Sequence, residues 1–499
     1  MVKRAAGALL LSLSIDRSSP RQVTSQICIA LRDVILSGAL KPGARLPASR
    51  TLARDLGVSR TTVIDALERL ASEGLIESRT GAGTYVSQAL HANRPVPPAR
   101  TGTTLLARPP RVSRSMSRAA EMFFERIPHE AKAFTTALPA FDAFPLSLWS
   151  RQAAKHWRGR RDVIMGYGDP SGYMPLRRVI AAHLRSSRGI ACDPEQVFVV
   201  NGAQQAFHLI GTVLLDPGDT VWFENPGAIG ARNSLVAQGA CLAPVPVDGE
   251  GIVVSEGLRR APGFRLIFVT PSHQQPTGVT LSLERRFGLL HAAGEADAWI
   301  VEDDYDGEFT YSGPPLPTLK SLDTGGRVIY VGTFSKTLFP ALRLGFLLAP
   351  PALVDIFERV CRMVLQGVSA NLQAVVADFM DEGHFATHIR RMRRIYAERQ
   401  QVFYDASRER LAGLLEVEPT GTGFHTIGHL PDHLPELVVT RAARERDLAV
   451  NPIRRYCIEP VDMNGLVLGF ASIRPKEILA GVDVLADVLE RLDAPAKRA

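Results

Sequence analysis

The chain has 499 residues, 45% of them hydrophobic, which predicts an ordinary soluble protein of more than one domain. No apolar stretch approaches the roughly 20 residues needed to cross a bilayer, and the five scattered cysteines form no Cys-x-x-Cys pair, which argues against a membrane span, a disulfide framework and a metal site. Residues 1–118 hold 18 Lys and Arg against 7 Asp and Glu, whereas the remainder holds 40 against 44, so nucleic-acid binding is predicted for the N-terminal quarter alone.

Composition divides the chain into three regions. Residues 16–87 show a compact helical pattern that ends in a predicted hairpin, and residues 88–129 are rich in Pro, Arg, Ser and Thr, as is typical of a semi-extended linker. In residues 130–495 short apolar strands alternate with helical patterns, which predicts an α/β domain with a mostly parallel sheet. The start, Met1–Leu11, is similar to a short signal peptide, but a DNA-binding pattern follows almost at once and the cysteine usage favours the cytoplasm.

Three helices are predicted in the first region. The first is indicated by apolar residues on one helical face, namely Ile27, Leu31, Val34 and Ile35. A second helix stops at Gly57, and Ser59 is a favourable N-cap for the third. Arg60, Thr61 and Thr62 then stand exposed at the start of that helix, where they can reach base edges and phosphates in a major groove.

A two-stranded wing is predicted after the third helix. Leu75–Ser78 and Thr84–Ser87 flank the basic, glycine-rich tip Arg79–Gly83. On these features alone the region can still be a three-helix bundle with a solvated charged face. Together with the segment Leu36–Arg50, however, it resembles the winged helix of the GntR regulators.

The GntR resemblance implies binding to double-stranded promoter or operator DNA, with the wing in the minor groove. The residues that it assigns to DNA contact are Arg45, Arg50, Ser59, Arg60, Thr61, Thr62, Arg79, Gly81 and Gly83.

Lys336 is the most informative residue of the third region. It follows the apolar run Val328–Val331, which predicts a buried parallel strand. A lysine at the end of such a strand can form a Schiff base with an aldehyde cofactor, and Thr333, Ser335 and Arg343 can hold a phosphate on that cofactor.

Four further segments are expected to converge on the same site. Ala298–Asp306 is a strand that ends in acids and a tyrosine, which can serve a pyridine nitrogen and a ring oxygen. Asn201–Gln205 is a glycine turn that leads into a helix and suits a phosphate. The others are the loop Thr270–Gly278, in which His273 can face either the cofactor or solvent, and the turn Tyr167–Tyr173.

In this order and spacing the segments resemble the fold-type I aminotransferases, which depend on pyridoxal phosphate (PLP). The resemblance implies Lys336 as the Schiff-base lysine, Asp303 at the pyridine nitrogen and Tyr305 at the ring oxygen, with Glu302 and Asp304 as close alternatives to Asp303. It places Gln275 near the ring oxygen, and it assigns the phosphate to Gly202, Ala203, Gln204, Thr333, Ser335 and Arg343. It also implies a homodimer, because the partner subunit's Tyr167 would reach the phosphate.

Three positions depart from the aminotransferase pattern. Gln275 stands where true aminotransferases have the asparagine of an Asn-Pro-Thr-Gly loop, which puts a longer amide at the ring oxygen. Ala228 stands where the family places a ring-stacking tyrosine, and Trp222 is a possible substitute. Val467 stands where the family places the arginine that binds the substrate carboxylate. Arg474 is the first alternative for that role, and Arg454 and Arg455 are others. Without such an arginine, PLP itself fits better as the sensed molecule than an amino acid.

A GntR winged helix fused to an aminotransferase-like domain is the architecture of the MocR regulators, which include regulators of pyridoxine synthesis. The resemblance implies a cytoplasmic, dimeric transcription regulator that senses PLP, or its aldimine with an amino acid, through Lys336. The rival hypothesis is a working aminotransferase with an accessory DNA-binding domain, and a third is a scaffold without cofactor. No metal is expected, and no membrane partner.

Overall fold

The computed structural model describes residues 15–79, 82–91, 112–121, 130–159, 165–311 and 313–496. The chain divides into two compact units, Met1–Arg111 and Val112–Ala499. This division falls inside the predicted linker. Among the described residues, no helix is long and apolar enough to cross a membrane.

The N-terminal unit is a three-helix bundle with a wing. Its helices are α1 (Val23–Leu36), α2 (Ser49–Leu56) and α3 (Arg60–Ser72), and its strands β1 (Ile76–Arg79) and β2 (Gly83–Val86) pair antiparallel. The core is apolar, and Leu31, Val63, Ala66 and Leu70 are fully buried in it. Gly57 ends α2 in the left-handed conformation, with φ 64°. The predicted helices and wing are confirmed, with strand bounds shifted by one residue.

A helix lies within the segment predicted as an extended linker. Residues Arg114–Glu121 form α4, which packs against the helix Ile229–Ala237. Its apolar residues Met116, Ala119 and Ala120 are few and stand in a proline- and arginine-rich segment, so the composition favoured a linker there. The linker prediction was therefore wrong for α4. Apart from 88–91 and 112–121, the predicted linker lies outside the described residues.

The large unit is built around a mostly parallel sheet. Its strands are β3 (Val197–Val200), β4 (Thr220–Asn225), β5 (Cys241–Asp248), β6 (Gly251–Ile252), β7 (Leu266–Val269), β8 (Trp299–Asp303), β9 (Val328–Thr333) and β10 (Gly345–Leu348), in the order β3-β10-β9-β8-β7-β4-β5-β6. Strands β9, β8, β7, β4 and β5 run parallel, while β10 lies antiparallel between β3 and β9. Continuous apolar runs suit these strands because helices cover both faces of the sheet. The predicted fold class is confirmed.

Helices surround this sheet. They are α5 (Leu146–Arg158), α6 (Met174–Arg188), α7 (Ala203–Leu214), α8 (Ile229–Ala237), α9 (Val254–Arg260), α10 (Leu283–Glu295), α11 (Leu319–Leu322), α12 (Phe334–Thr337), α13 (Val354–Val360), α14 (Ala370–Asp381) and α15 (His384–Arg410). A smaller antiparallel sheet follows, with β11 (Glu416–Val417), β12 (His425–His429), β14 (Gly465–Gly469) and β13 (Asn451–Pro452) in that order, accompanied by α16 (Glu436–Glu445) and α17 (Pro475–Ala496).

The strand directions bring the predicted site segments together. Strands β3, β7, β8 and β9 all end at one edge of the large sheet, which is where ligands bind in open α/β folds. Each is followed by one of the predicted segments, so residues far apart in sequence meet at that edge.

Candidate functional site

A cavity of about 670 Å³ opens at this edge of the sheet. Every sequence-predicted cofactor residue except Tyr167 lines it. These are Gly202, Ala203, Gln204, Gln275, Asp303, Tyr305, Thr333, Ser335, Lys336 and Arg343. The structure thus brings four of the five predicted segments to one place, while the role of each residue stays a prediction.

Lys336 is presented to the cavity by the short helix that follows β9. Thr333 caps this helix, because its Oγ1 accepts a hydrogen bond from the Ser335 backbone N–H at 3.2 Å. The Lys336 Nζ donates to the carbonyl oxygen of Ala137 at 2.6 Å. Burial lowers the pKa of Lys336 to about 8, against the opposing effect of Asp306 and Asp303. A substantial unprotonated fraction makes the amine a competent nucleophile toward an aldehyde.

Asp303 is an orphaned acceptor in the cavity wall. Its carboxyl group is buried, and its Oδ1 has no hydrogen-bond partner among the described residues. Burial and the nearby carboxylates of Asp304 and Asp306 raise its pKa well above the usual range. A buried acceptor without a donor is costly. A protonated ring nitrogen is the donor that this position fits.

The carboxylates on either side of Asp303 have structural partners. Glu302 accepts hydrogen bonds from the backbone N–H groups of Leu319 and Lys320, at 2.9 and 2.8 Å. Asp304 forms an ion pair with Arg188 at 2.5 Å. Neither acid lines the cavity, so the geometry favours Asp303 among the three alternatives.

The turn before α7 forms an anion cradle. Gly202 has a positive φ of 78° and precedes the first helical residue, Ala203. The positive φ favours glycine here, and the Arg343 guanidinium lies beside this turn, 3.7 Å from where a Gly202 Cβ would stand. A helix N-terminus and a guanidinium together suit a phosphate.

Tyr167 is 87% exposed and does not line the cavity of its own chain. Ala228 does line it, directly before α8. Trp222 does not replace the missing stacking ring, because it is fully buried elsewhere, with its ring centroid 4.0 Å from that of Phe264. The aromatic residue Phe207 also lines the cavity.

Arg474 is not brought to the cavity. It stands just before α17, where its Nε lies 3.3 Å from Oδ2 of Asp142. The expectation that it faces the site is therefore corrected. Arg455 does line the cavity and donates to Oδ1 of Asn451 at 2.5 Å, whereas Arg454 is exposed and does not line it.

Sequence reasoning missed several wall residues. These residues lie in loops and short elements near the two ends of the large unit, and they are Thr136, Ala137, Asn451 and Tyr456. They belong to no motif, and only the tertiary fold brings them to the sheet edge.

The predicted DNA-contacting residues cluster around α3 and the wing. The Ser59 hydroxyl accepts a hydrogen bond from the Thr62 backbone N–H at 3.1 Å, which confirms Ser59 as the N-cap. Arg45, Arg50, Arg60, Thr61 and Arg79 are exposed. The guanidinium carbons of Arg79 and Arg45 lie 4.9 and 6.0 Å from the Tyr85 ring centroid. Gly83 begins β2, with φ 111°, and Gly81 lies outside the described residues.

Comparisons with known proteins match both units. The family of class I and II aminotransferases matches residues 142–458, and the GntR family of bacterial regulatory proteins matches residues 23–86. The chain is 42% identical to a probable rhizopine catabolism regulatory protein, MocR, of Rhizobium meliloti, over 97% of each chain. It is 31% identical to the pyridoxine biosynthesis transcriptional regulator PdxR of Corynebacterium glutamicum, over 93% of this chain and 95% of that protein.

Solved aminotransferases share the fold of the large unit. The α-aminoadipate aminotransferase LysN of Thermus thermophilus, complexed with N-(5'-phosphopyridoxyl)-L-leucine, has a TM-score of 0.68 at 28% identity, over 77% of this chain and 96% of that one. The kynurenine aminotransferase of Pyrococcus horikoshii, in complex with PMP, has a TM-score of 0.67 at 27% identity, over 76% and 95%. These complexes, the matched family and the cavity support PLP binding here.

With both units matched in one chain, and with relatives of the same two-part architecture along its whole length, the protein belongs to the MocR-type transcription regulators, in which a GntR winged helix is joined to a class I and II aminotransferase-like domain.

Proposed function

We propose that this protein is a DNA-binding transcription regulator that responds to PLP through Lys336. The observation that carries the proposal is the pairing of Lys336, whose pKa is lowered to about 8, with the orphaned Asp303 at one cavity. A chain that keeps this pair together with a winged helix has the parts of a cofactor sensor. A relative named as a regulator of pyridoxine biosynthesis also supports a response to PLP.

The residues of the cavity divide the work of holding the cofactor. When bound, PLP supplies an aldehyde that reacts with amines and a ring that withdraws electrons. Lys336 Nζ would leave the Ala137 carbonyl to reach the aldehyde, and Asp303 would accept the ring N–H. The Gly202 turn and Arg343 would hold the phosphate, and Tyr305 would donate to the ring oxygen.

The path from cavity to DNA begins at helix α8. Ala228, Ile229, Gly230 and Ala231, at and before the start of this helix, line the cavity, and α4 packs against the same helix. Since α4 lies near the start of the large unit and packs against α8, a change in the cavity wall can reach α4. Regulation requires that PLP bind one arrangement more tightly than the other.

The proposal includes a homodimer. Exposed Tyr167 would serve the cavity of the partner subunit, and two winged helices would then read two half-sites. The effector is PLP, alone or with an amino acid, and Arg455 at the cavity wall takes over from Arg474 as the candidate for a carboxylate.

A promoter reporter tests this proposal in cells. The reporter carries the DNA upstream of the gene, and expression is compared between PLP-replete and PLP-depleted cultures. Lys336→Ala is expected to abolish this difference in expression. The control Lys476→Ala, which changes an exposed lysine in the first turn of α17, should leave the difference intact. The proposal would be contradicted by a folded Lys336→Ala protein that regulates the reporter as the wild type does.

An active aminotransferase is the second candidate. The cavity keeps every predicted cofactor residue of its own chain, and the lowered pKa of Lys336 also suits an amine that carries protons during transamination. Ala228, at the position of the ring-stacking tyrosine, argues against efficient turnover. Steady conversion of an amino acid to an oxo acid above roughly 1 per second would reverse the ranking.

A further inference from the structure

Tyr305 contacts a buried pair of polar side chains that the proposed function does not use. His273 and Asp306 are 1% and 2% exposed, and neither lines the cavity. The Nδ1 atom of His273 lies 2.9 Å from the Tyr305 hydroxyl oxygen and 2.9 Å from Oδ2 of Asp306. Tyr305 does line the cavity, so it connects this pair to the cofactor site.

The geometry decides where the Nδ1 hydrogen lies. An ionised Asp306 can only accept hydrogen bonds, so a bare Nδ1 would set its lone pair against the carboxylate. Nδ1 must therefore carry the hydrogen and direct it at Asp306 and at the Tyr305 oxygen. The tyrosine then accepts on this side, and its own O–H is free to point into the cavity.

The other ring nitrogen of His273 supports this tautomer. Its Nε2 is buried and has no hydrogen-bond partner among the described residues. A hydrogen there would find no acceptor among the described residues, and the His425 ring packs nearby, with its centroid 4.7 Å from that of His273. Burial and the neighbouring His273 hold the pKa of His425 well below its usual value. The packing therefore accommodates the Nδ1–H form.

The backbone leaves a slot for the imidazole. A Cβ at Gly423 would lie 2.2 Å from Cε1 of His273 and 2.7 Å from Oδ2 of Asp306. Gly423 has a φ of 76°, in the left-handed region that favours glycine. The close packing of Gly423, just before β12, thus holds the imidazole ring of His273 in a single orientation.

We propose that His273, anchored by Asp306, is a positioning residue that fixes the Tyr305 hydroxyl as a hydrogen-bond donor into the cofactor cavity. This inference rests on the proposed binding of PLP and names a residue that tunes it. A tyrosine that accepts one hydrogen bond while it donates another is a stronger donor. Stronger donation stabilises negative charge on the ring oxygen and so disfavours a proton on the linkage between Lys336 and PLP.

Several ionisable groups set the background of this tuning. Burial raises the pKa of Tyr305 well above its usual value, and the neighbouring groups Asp306, Asp303, Glu224 and Tyr456 raise it further. The Tyr305 hydroxyl therefore stays protonated and can act as a donor. Asp306 and Asp303 also act on Lys336. A test must therefore change His273 without changing any of these charges.

Two amides at position 273 provide matched variants. The side-chain amide of Asn lies near the position of Nδ1 and keeps a hydrogen-bond donor there. The longer Gln side chain places its amide near the position of Nε2, so the donor at the Nδ1 position is lost. The readout is the pH titration of the visible absorption of the PLP-loaded protein, which reports protonation of the linkage. Circular dichroism confirms that each variant is folded.

His273→Gln is expected to raise the midpoint by about 0.5 pH unit, a threefold change in the protonation equilibrium. His273→Asn is expected to keep the wild-type midpoint. In a Tyr305→Phe background, His273→Gln should add no shift. An unchanged midpoint in His273→Gln, or an equal shift in the Tyr305→Phe background, would overturn the inference and leave the proposed function standing. A wild-type protein that develops no such absorption overturns the proposed function instead.

Discussion

At the scale of single residues, the site places a buried amine near a buried carboxyl group whose Oδ1 has no hydrogen-bond partner among the described residues. In the proposed complex, Asp303 would gain a donor from the cofactor ring, and Lys336 would exchange the Ala137 carbonyl for the aldehyde. Both exchanges would offset the desolvation cost of burying these groups.

Asp303→Asn is expected to weaken PLP binding by about tenfold to a hundredfold. The substitution removes a charge-assisted hydrogen bond, worth roughly 1.5–3 kcal/mol. Titration of PLP, followed by absorbance, measures the affinity. Asp462→Asn, at an exposed carboxylate, is the control and should bind normally. Equal affinity of Asp303→Asn and the wild type would contradict the assignment of this acid.

The rate of PLP capture should depend on pH through Lys336. Because burial lowers the pKa of Lys336 to about 8, its reactive unprotonated fraction rises about tenfold per pH unit below that value and then levels off. Stopped-flow absorbance at a series of pH values measures this. An ordinary lysine, with a pKa near 10.4, would show a rate that keeps rising beyond pH 9.

Residue types at strand ends could be predicted from the sequence, but contacts between loops could not. Lys336, Asp303 and Gly202 each follow an apolar strand, and the rule that ligands bind at strand ends brings them together. The contact of His273 with Asp306 joins two loops separated by 33 positions. Arg474 and Arg455 are both arginines near the C-terminus, and only the fold shows which one reaches the cavity.

At the scale of elements, helix α3 depends on its N-cap Ser59, the residue just before its first helical position. Ser59→Ala removes the hydrogen bond to the Thr62 backbone N–H, at a cost of about 0.5–2 kcal/mol. Amide hydrogen exchange in Arg60–Ser72 should accelerate by roughly 2- to 30-fold.

Thr61→Ala is the matched control for this cap. Thr61 is exposed and makes no capping hydrogen bond. Thr61→Ala should therefore leave amide hydrogen exchange in α3 unchanged while it weakens DNA binding. Faster exchange in Thr61→Ala, or unchanged exchange in Ser59→Ala, would show that the cap does not hold this helix.

Element prediction succeeded where periodicity and caps agree, as in α1, α2 and α3. It failed for α4, because the short apolar set Met116, Ala119 and Ala120 stands in a proline- and arginine-rich segment, while the fold packs this helix against α8. The short strand β13 was equally invisible, since two residues carry no pattern.

At the scale of the whole molecule, the uneven charge predicts how DNA binding responds to salt. The affinity should fall steeply with salt, because each lysine or arginine that contacts a phosphate releases a counterion. Arg50→Ala is expected to reduce the slope of log affinity against log salt by about 1, across specific and nonspecific DNA alike. A loss confined to one DNA sequence would show that Arg50 contacts a base.

The central claim is that PLP at Lys336 changes DNA binding, and fluorescence anisotropy tests it most directly. Protein freed of cofactor is titrated with labelled DNA from upstream of its gene, with and without PLP. The expected result is a change in affinity that Lys336→Ala abolishes and that Lys476→Ala retains. Specific DNA binding that PLP leaves unchanged, in a protein shown to hold PLP, would contradict the account.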